Sequence, residues 1–179
     1  MIFEERVLES EMIYEGAILN LRKDKVTVPN GTSYREIVEH NGGAVVVAIT
    51  DDHKVVMVKQ YRAAVKRVVL ELPAGKVEDG EDPMETAIRE LKEETGYTPG
   101  KTVHLISSYP SIGYTEEMLH IYLCTDLVPG ETDFDENEAL DIYEYKYDEL
   151  MEMIKNGELL DGKTQLGLLM AGLVIGSSL

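Results

Sequence analysis

Residues 89–96 read Arg-Glu-Leu-Lys-Glu-Glu-Thr-Gly. On a helix, Glu90, Glu93 and Glu94 fall within about one turn. Side chains three and four residues apart share a helix face, and like charges there repel by roughly 0.2–0.5 kcal/mol per pair. A solvated face tolerates this repulsion, whereas a bound cation converts it into attraction. Hard divalent cations such as Mg²⁺ take carboxylate oxygens and water, and a helix presents such oxygens at fixed spacing. Arg89 precedes Glu90 and could steer a carboxylate. The preceding stretch, "ELPAGKVEDGE" over 71–81, is a glycine-bearing loop. Its backbone carbonyls could add oxygen ligands, and its glycines let the backbone approach a phosphate.

Something must hold these groups in place. Asp82 followed by Pro83 predicts a helix start, with Glu85 placed to close a capping box. Met84, Ala87, Ile88 and Leu91 form an apolar stripe, leaving the Glu face free. Gly96 ends the helix, with Pro99 just beyond. Upstream, residues 17–40 read as a hairpin turning at "PNG". "GGAVVVAIT" and "KVVMVKQY" are apolar strands split by "DDH", and "VVLELPAG" is a short strand stopping at Pro73 and Gly75. Downstream, "TVHLISSY", "EMLHIYLCTDL" and "LDIYEYKY" read as strands. "DELMEMIKNG" reads as a helix, and "DGKTQLGLLMAGLVI" as a second, capped by Asp161 and buried. Short strands mixed with three helices predict a mixed α/β sandwich rather than a regular βαβ series.

The bulk properties narrow the function. A chain of 179 residues with 44% hydrophobic content supports one main domain with a real core. The formal net charge is −17. No Lys/Arg run is present to track nucleic-acid phosphates, so nucleic acid is excluded as a partner. An acidic protein that takes an anionic substrate needs metal ions to hold it. Cys124, a single cysteine in an apolar run, reads as a small buried hydrophobe. The four histidines show no ligand spacing. The N-terminal stretch lacks the basic and apolar regions of a signal peptide, and the apolar C-terminal stretch is shorter than the roughly 20 residues of a membrane span. The expectation is a cytoplasmic protein without a membrane partner.

From Gly75 the chain runs Gly, five residues, Glu81, seven residues, Arg89-Glu90-Leu91, one residue, Glu93-Glu94, one residue, Gly96 and an aromatic. This 23-residue pattern resembles the Nudix box at every fixed position, with Tyr97 where an aliphatic residue is commonest. "YREIVEH", "VKQYRAAV", "LELPAGKVEDGE", "RELKEETGY" and "DGKTQ" extend the resemblance to the ADP-ribose pyrophosphatases of that superfamily, from Gly16 to about Ala171. The resemblance implies a Nudix-type α/β/α sandwich with a mixed sheet (residues 41–179) and an N-terminal β-hairpin extension (residues 1–40) that forms a homodimer. It implies hydrolysis of a nucleoside diphosphate sugar, ADP-ribose to AMP and ribose 5-phosphate, with Mg²⁺ as the cofactor and Mn²⁺ as its alternative.

The same resemblance assigns roles. Glu90 and Glu94 are metal ligands, joined by Glu93, the Ala74 carbonyl and Glu138. The acidic segment "TDFDENEALD" matches a loop that supplies the general base, which falls on Glu136, with Glu117 as its rival. Arg62 is a phosphate contact. Arg35 matches a residue that reaches the adenosine end of the substrate from a neighbouring subunit. Ser111, Gly113 and Glu117 match a substrate-binding Ser-Pro-Gly signature, in which Ile112 replaces the proline. That replacement keeps another nucleotide sugar, such as GDP-mannose, in contention. A catalytically silent nucleotide-sensing module would have lost box carboxylates, and all are present here.

Overall fold

The computed structural model describes residues 2–134 and 139–176. The chain forms two compact units, Met1–Gly42 with Tyr109–Met118, and Gly43–Ser108 with Leu119–Leu179.

The first unit is an antiparallel sheet of β1 (Val7–Glu15), β2 (Asn20–Val28) and β3 (Gly31–Glu39), in that order. The expected hairpin is β2–β3. It closes through Pro29 and Asn30, with Gly31 at a φ of 135° that suits glycine. Sequence patterning misses β1. All nine of its residues are exposed, so it has no buried face whose alternation could be read. Among the described residues, Val26 is the buried apolar side chain of this unit and Asp24 its buried acid. Asp24 is held by the Ser10 hydroxyl at 2.6 Å and by Arg22 at 3.1 Å. Residues 109–118 are stitched to β3, where the Val38 N–H donates to the Tyr114 carbonyl at 2.7 Å and the Thr115 hydroxyl donates to the Val38 carbonyl at 3.1 Å.

The second unit contains β4 (Gly43–Ala48), β5 (Lys54–Arg62), β6 (Arg67–Glu71), β7 (Ala74–Lys76), α1 (Pro83–Thr95), β8 (Thr98–Ser108), β9 (Leu119–Val128), β10 (Leu140–Lys146), α2 (Tyr147–Lys155) and α3 (Gly162–Ile175). One sheet has the order β7-β4-β9-β8 and is mixed, since β4 and β9 run parallel while their outer neighbours are antiparallel. The other, β10-β5-β6, is antiparallel. The turn at 51–53 therefore connects strands of different sheets.

Every residue of β4 is buried, which explains its unbroken apolar run. Its side chains alternate between two cores. Ala44, Val46 and Ala48 pack with Ala87 and Leu91 of α1, and with Tyr122 and Cys124. Val45 and Val47 pack with Leu150 of α2 and with Leu168 and Ala171 of α3. Helices on both faces make the α/β/α layering. α3 departs from expectation. It is buried on one face only, with Leu169, Leu173 and Val174 exposed. No helix among the described residues is long and apolar enough to cross a membrane.

Candidate active site

Local rules start and stop α1 where the box requires. The Asp82 carboxylate accepts from the Met84 N–H at 2.8 Å, and Pro83 occupies the first turn. Glu85 adds negative charge to that turn, which the helix dipole favours. At the other end, Gly96 takes a left-handed φ of 76° and its N–H donates to the Lys92 carbonyl at 2.8 Å. A Cβ on Gly96 would also meet the Gly130 carbonyl at 2.5 Å.

The face that α1 turns inward is not purely the apolar stripe. Ala87 and Leu91 are buried, but Met84 is exposed and Ile88 only partly covered. Glu94 is buried, at 1% exposure. A buried carboxylate needs compensation. The Ala74 N–H donates to Glu94 at 3.1 Å, tying helix to loop. Glu90 is held between α1 and Gly75, where a Cβ would lie 1.8 Å from its carboxyl carbon. A side chain at 75 would displace this carboxylate, so the close approach, rather than the backbone angles, is what favours glycine there. Ala74, Glu90 and Glu94 thus come together at the junction of β7 and α1.

Arg89 organises the rest of the helix face. Its Nε and Nη2 hold the two oxygens of Glu81 at 3.0 and 3.1 Å, and its Nη1 donates to Glu90 at 2.8 Å and to Glu93 at 2.9 Å. One guanidinium therefore offsets the repulsion of three carboxylates. The hydrogen bond from Arg89 holds the Glu81 carboxyl down to about 2, against partial desolvation, with help from the Thr86 hydroxyl and the Glu78 N–H. Glu93 is the outermost of the set, its side chain 34% exposed.

Arg62 ends β5 and is engaged by a carboxylate. Its Nε and Nη2 form a fork on Glu71 at 2.7 and 2.9 Å, and Lys163 bonds the same carboxylate. Burial pushes the Glu71 carboxyl up, but the bonds from Arg62 and Lys163 outweigh it and leave it lowered. Arg62, Arg67, Lys163 and Asp161 line a recess of about 580 Å³.

Other expected residues belong to the first unit. Arg35, on β3, bonds Glu5 in a fork, with Nε at 2.9 Å. Ser111 and Gly113 form a turn in which the Ser111 carbonyl accepts from the Thr115 N–H at 3.2 Å. Glu117 precedes β9 rather than beginning it. Its carboxylate lies 3.7 Å from His40 Nδ1, which accepts the Gly42 N–H at 3.0 Å, a proximity invisible in the sequence. Glu136 and Glu138 lie outside the described residues. The acidic segment is attached before that point, where the Asp133 N–H donates to the Glu93 carbonyl at 3.0 Å.

Two histidines also meet without any signal in their spacing. Ser107 Oγ lies 2.9 Å from both His104 Nε2 and His120 Nδ1, because β8 and β9 pair antiparallel. Burial lowers the His120 imidazole, and His104 adds to this.

The donor chemistry at α1 fits a hard divalent cation. Two carboxylates and a backbone carbonyl are all oxygen donors, and the glycine at 75 leaves room for the Glu90 carboxylate. Among the described residues, no group of three or more Asp, Glu, His or Cys side chains is arranged to hold a metal ion by itself. Mg²⁺ commonly uses one or two carboxylates and keeps several waters, so a partial protein shell suits it.

Known proteins resemble this chain along most of its length. The family models that match are "NUDIX domain", over residues 40–164, and "Nucleoside diphosphate sugar hydrolase N-terminal domain", over residues 5–36. A protein of Bacillus methanolicus named methanol dehydrogenase activator is 44% identical over 91% of this chain and 90% of its own. An ADP-ribose pyrophosphatase of Bacillus subtilis (strain 168) is 39% identical over 90% of this chain and 89% of its own. A GDP-mannose pyrophosphatase of Escherichia coli is 30% identical over 74% of each. The crystal structure of an ADP compounds hydrolase superposes with a TM-score of 0.86, covering 98% of this chain and 96% of that one at 20% identity, a likeness of fold.

Proposed function

We propose that this chain, which belongs to the Nudix hydrolase family, cleaves the pyrophosphate of a nucleoside diphosphate sugar and takes ADP-ribose to AMP and ribose 5-phosphate. As an enzyme it is a Nudix hydrolase of the ADP-ribose pyrophosphatase type. The observation that carries metal-dependent hydrolysis is the junction of β7 with α1, where Glu90 packs under Gly75 and Glu94 is bonded to the Ala74 N–H; the choice of ADP-ribose is supported by the 39% identical pyrophosphatase.

In this reading Ala74 (through its carbonyl), Glu90 and Glu94 hold Mg²⁺, or Mn²⁺ in its place, with Glu93 and Glu138 as further ligands. The cation would neutralise pyrophosphate oxygens and lower the pKa of bound water. Glu136 takes the proton of the attacking water as the bridging P–O bond breaks, and Glu117 binds substrate. The attachment of Asp133 to the Glu93 carbonyl supports a role for the acidic segment beside α1. Arg89 orients Glu81, Glu90 and Glu93 through its hydrogen bonds to all three. Arg62 contacts phosphate, Arg35 reaches the adenosine end of the substrate held by a neighbouring subunit, and Ser111 and Gly113 bind substrate.

We assign the N-terminal sheet to a homodimer. A three-stranded sheet needs an apolar face covered to be stable. This one exposes Val7, Leu8, Met12, Ile13 and Tyr14 along β1, an apolar run of the kind that marks an interaction surface.

The deciding experiment is phosphate release from ADP-ribose, coupled to alkaline phosphatase, with and without Mg²⁺. Mg²⁺-dependent release is expected, and its absence overturns the reading. A parallel assay on GDP-mannose tests the alternative that Ile112 keeps open. The relative named as an activator of methanol dehydrogenase favours a second reading, in which this chain also acts on a dehydrogenase. Stimulation of methanol dehydrogenase turnover by the added protein would support it, and its absence would remove it.

A further inference from the structure

We propose that Thr164 is a positioning residue for the cation site, acting through the turn that carries Ala74. The inference rests on the reading of Ala74, Glu90 and Glu94 as the divalent-cation site. Between the end of β6 at Glu71 and the start of β7 at Ala74, the backbone leaves one sheet and enters the other. A buried backbone donor in such a turn must find a partner. Leu72 is 1% exposed, and its N–H donates to Thr164 Oγ1 at 2.9 Å, across 92 residues of sequence.

The threonine hydroxyl is oriented for this task. Its own hydrogen goes to Asp161 Oδ2 at 2.6 Å, so its lone pairs face the Leu72 N–H. The same Asp161 oxygen accepts from the Thr164 N–H at 3.1 Å and from Lys163 Nζ at 2.9 Å. Lys163 also bonds Glu71, the residue before Leu72, so the turn is gripped at two adjacent residues. One helical turn on, Gly167 lets α3 close down on the same place. A Cβ there would stand 2.7 Å from Leu72 Cδ1 and 3.2 Å from Val47 Cγ2.

Beyond Leu72, the Pro73 carbonyl accepts from the Val46 N–H at 2.9 Å, and the Ala74 N–H reaches Glu94 at 3.1 Å. The line of bonds runs from the cap of α3 through Leu72 to the carboxylate on α1. With the Thr164 hydroxyl gone, the Leu72 N–H has to move to find another acceptor. The Ala74 carbonyl and the Glu94 bond move with it. Groups that orient metal ligands typically alter metal affinity or activity about 10–100-fold when removed.

The test uses Thr164→Val, which keeps the shape and loses the hydroxyl, and Thr164→Ser, which keeps the hydroxyl. Mn²⁺ alone is titrated into each full-length protein and followed by electron paramagnetic resonance. Turnover is measured against metal concentration, and thermal melts monitor the fold. Thr164→Val should bind Mn²⁺ about 10–100-fold more weakly. Its turnover should recover at high metal concentration, with the substrate KM little changed, and Thr164→Ser should behave like the unaltered protein. A folded Thr164→Val with undiminished Mn²⁺ affinity, whatever its melting temperature, overturns the inference. If Thr164→Val does not fold, Asp161→Gly decides instead. It keeps the cap conformation at little cost to the helix while releasing the hydroxyl. Weakened Mn²⁺ binding in Asp161→Gly supports the proposal, and unweakened binding overturns it. Should the unaltered protein bind no Mn²⁺, the cation-site reading falls and this inference with it.

Discussion

Gly75 approaches Glu90 so closely that a Cβ added to it would stand 1.8 Å from the Glu90 carboxyl carbon and from one of its oxygens. The obstructed atoms are the far end of a flexible side chain, so Gly75→Ala should fold with nearly unchanged stability. What has to give is the carboxylate itself. A displacement of about an ångström at a reacting constellation can lower the rate about 10²-fold. Thermal melts beside steady-state kinetics check this. Near-full activity in Gly75→Ala would show that Glu90 does not act from the position it occupies.

Glu94→Gln separates charge from shape. Glutamine can still accept the Ala74 N–H bond that Glu94 accepts at 3.1 Å, so the loop and helix should stay joined. The lost negative charge should lower turnover by orders of magnitude and weaken divalent-cation binding. Circular dichroism, metal titration and kinetics on one preparation measure all three. Retained turnover would remove Glu94 from the cation site.

Glu136 and Glu117 are expected to part in their kinetics. Glu136→Gln should lower turnover about 10²-fold or more with substrate affinity largely unchanged, the pattern of a lost proton acceptor. Glu117→Gln should raise KM instead. If Glu117→Gln is the variant that loses turnover at unchanged affinity, the two assignments are exchanged.

The N-terminal sheet is expected to hold subunits together. Deleting residues 1–40 should yield monomers or unfolded chain, because β3 also carries the bonds that hold residues 109–118. Light scattering of the full-length protein is the simplest check. A monomer at working concentration would rule out the proposed dimer.

Acid should expose the contribution of Glu81. Its folded pKa of about 2 lies below the ordinary value of 4.5, chiefly through Arg89. The stabilisation is therefore complete above pH 4.5 and is lost as pH falls from there through about 2. The melting temperature of Glu81→Gln should lie below that of the unaltered protein near neutrality, and the gap should shrink across this window. A gap that stays constant down to the acid limit would show that the Arg89–Glu81 pair contributes nothing to stability.

The reach of the sequence varied from element to element. Helix α1 was legible to the residue, because Asp82, Pro83 and Gly96 act on their immediate neighbours and so write its ends locally. Strand β4 was legible because burial on both faces demands an unbroken apolar run. The box carboxylates were legible as types and spacing. Strand β1 was not, since a strand exposed throughout leaves no alternation to read. The three residues of β7 are too few for any period.

What tertiary structure alone decided was which groups meet. Periodicity marked the apolar stripe of α1 as its inner face, yet Glu94 is buried beside it, because the partner that makes this tolerable is a backbone N–H twenty residues earlier. His104 and His120 converge on Ser107 through the register of β8 and β9, which no spacing encodes. The Leu72–Thr164 bond joins residues that only packing can bring together. Caps and periods are local free energies and can be read from the chain. The partners of buried polar groups are set by the closure of the whole core, and for Glu94, Leu72 and the histidines the fold supplied them.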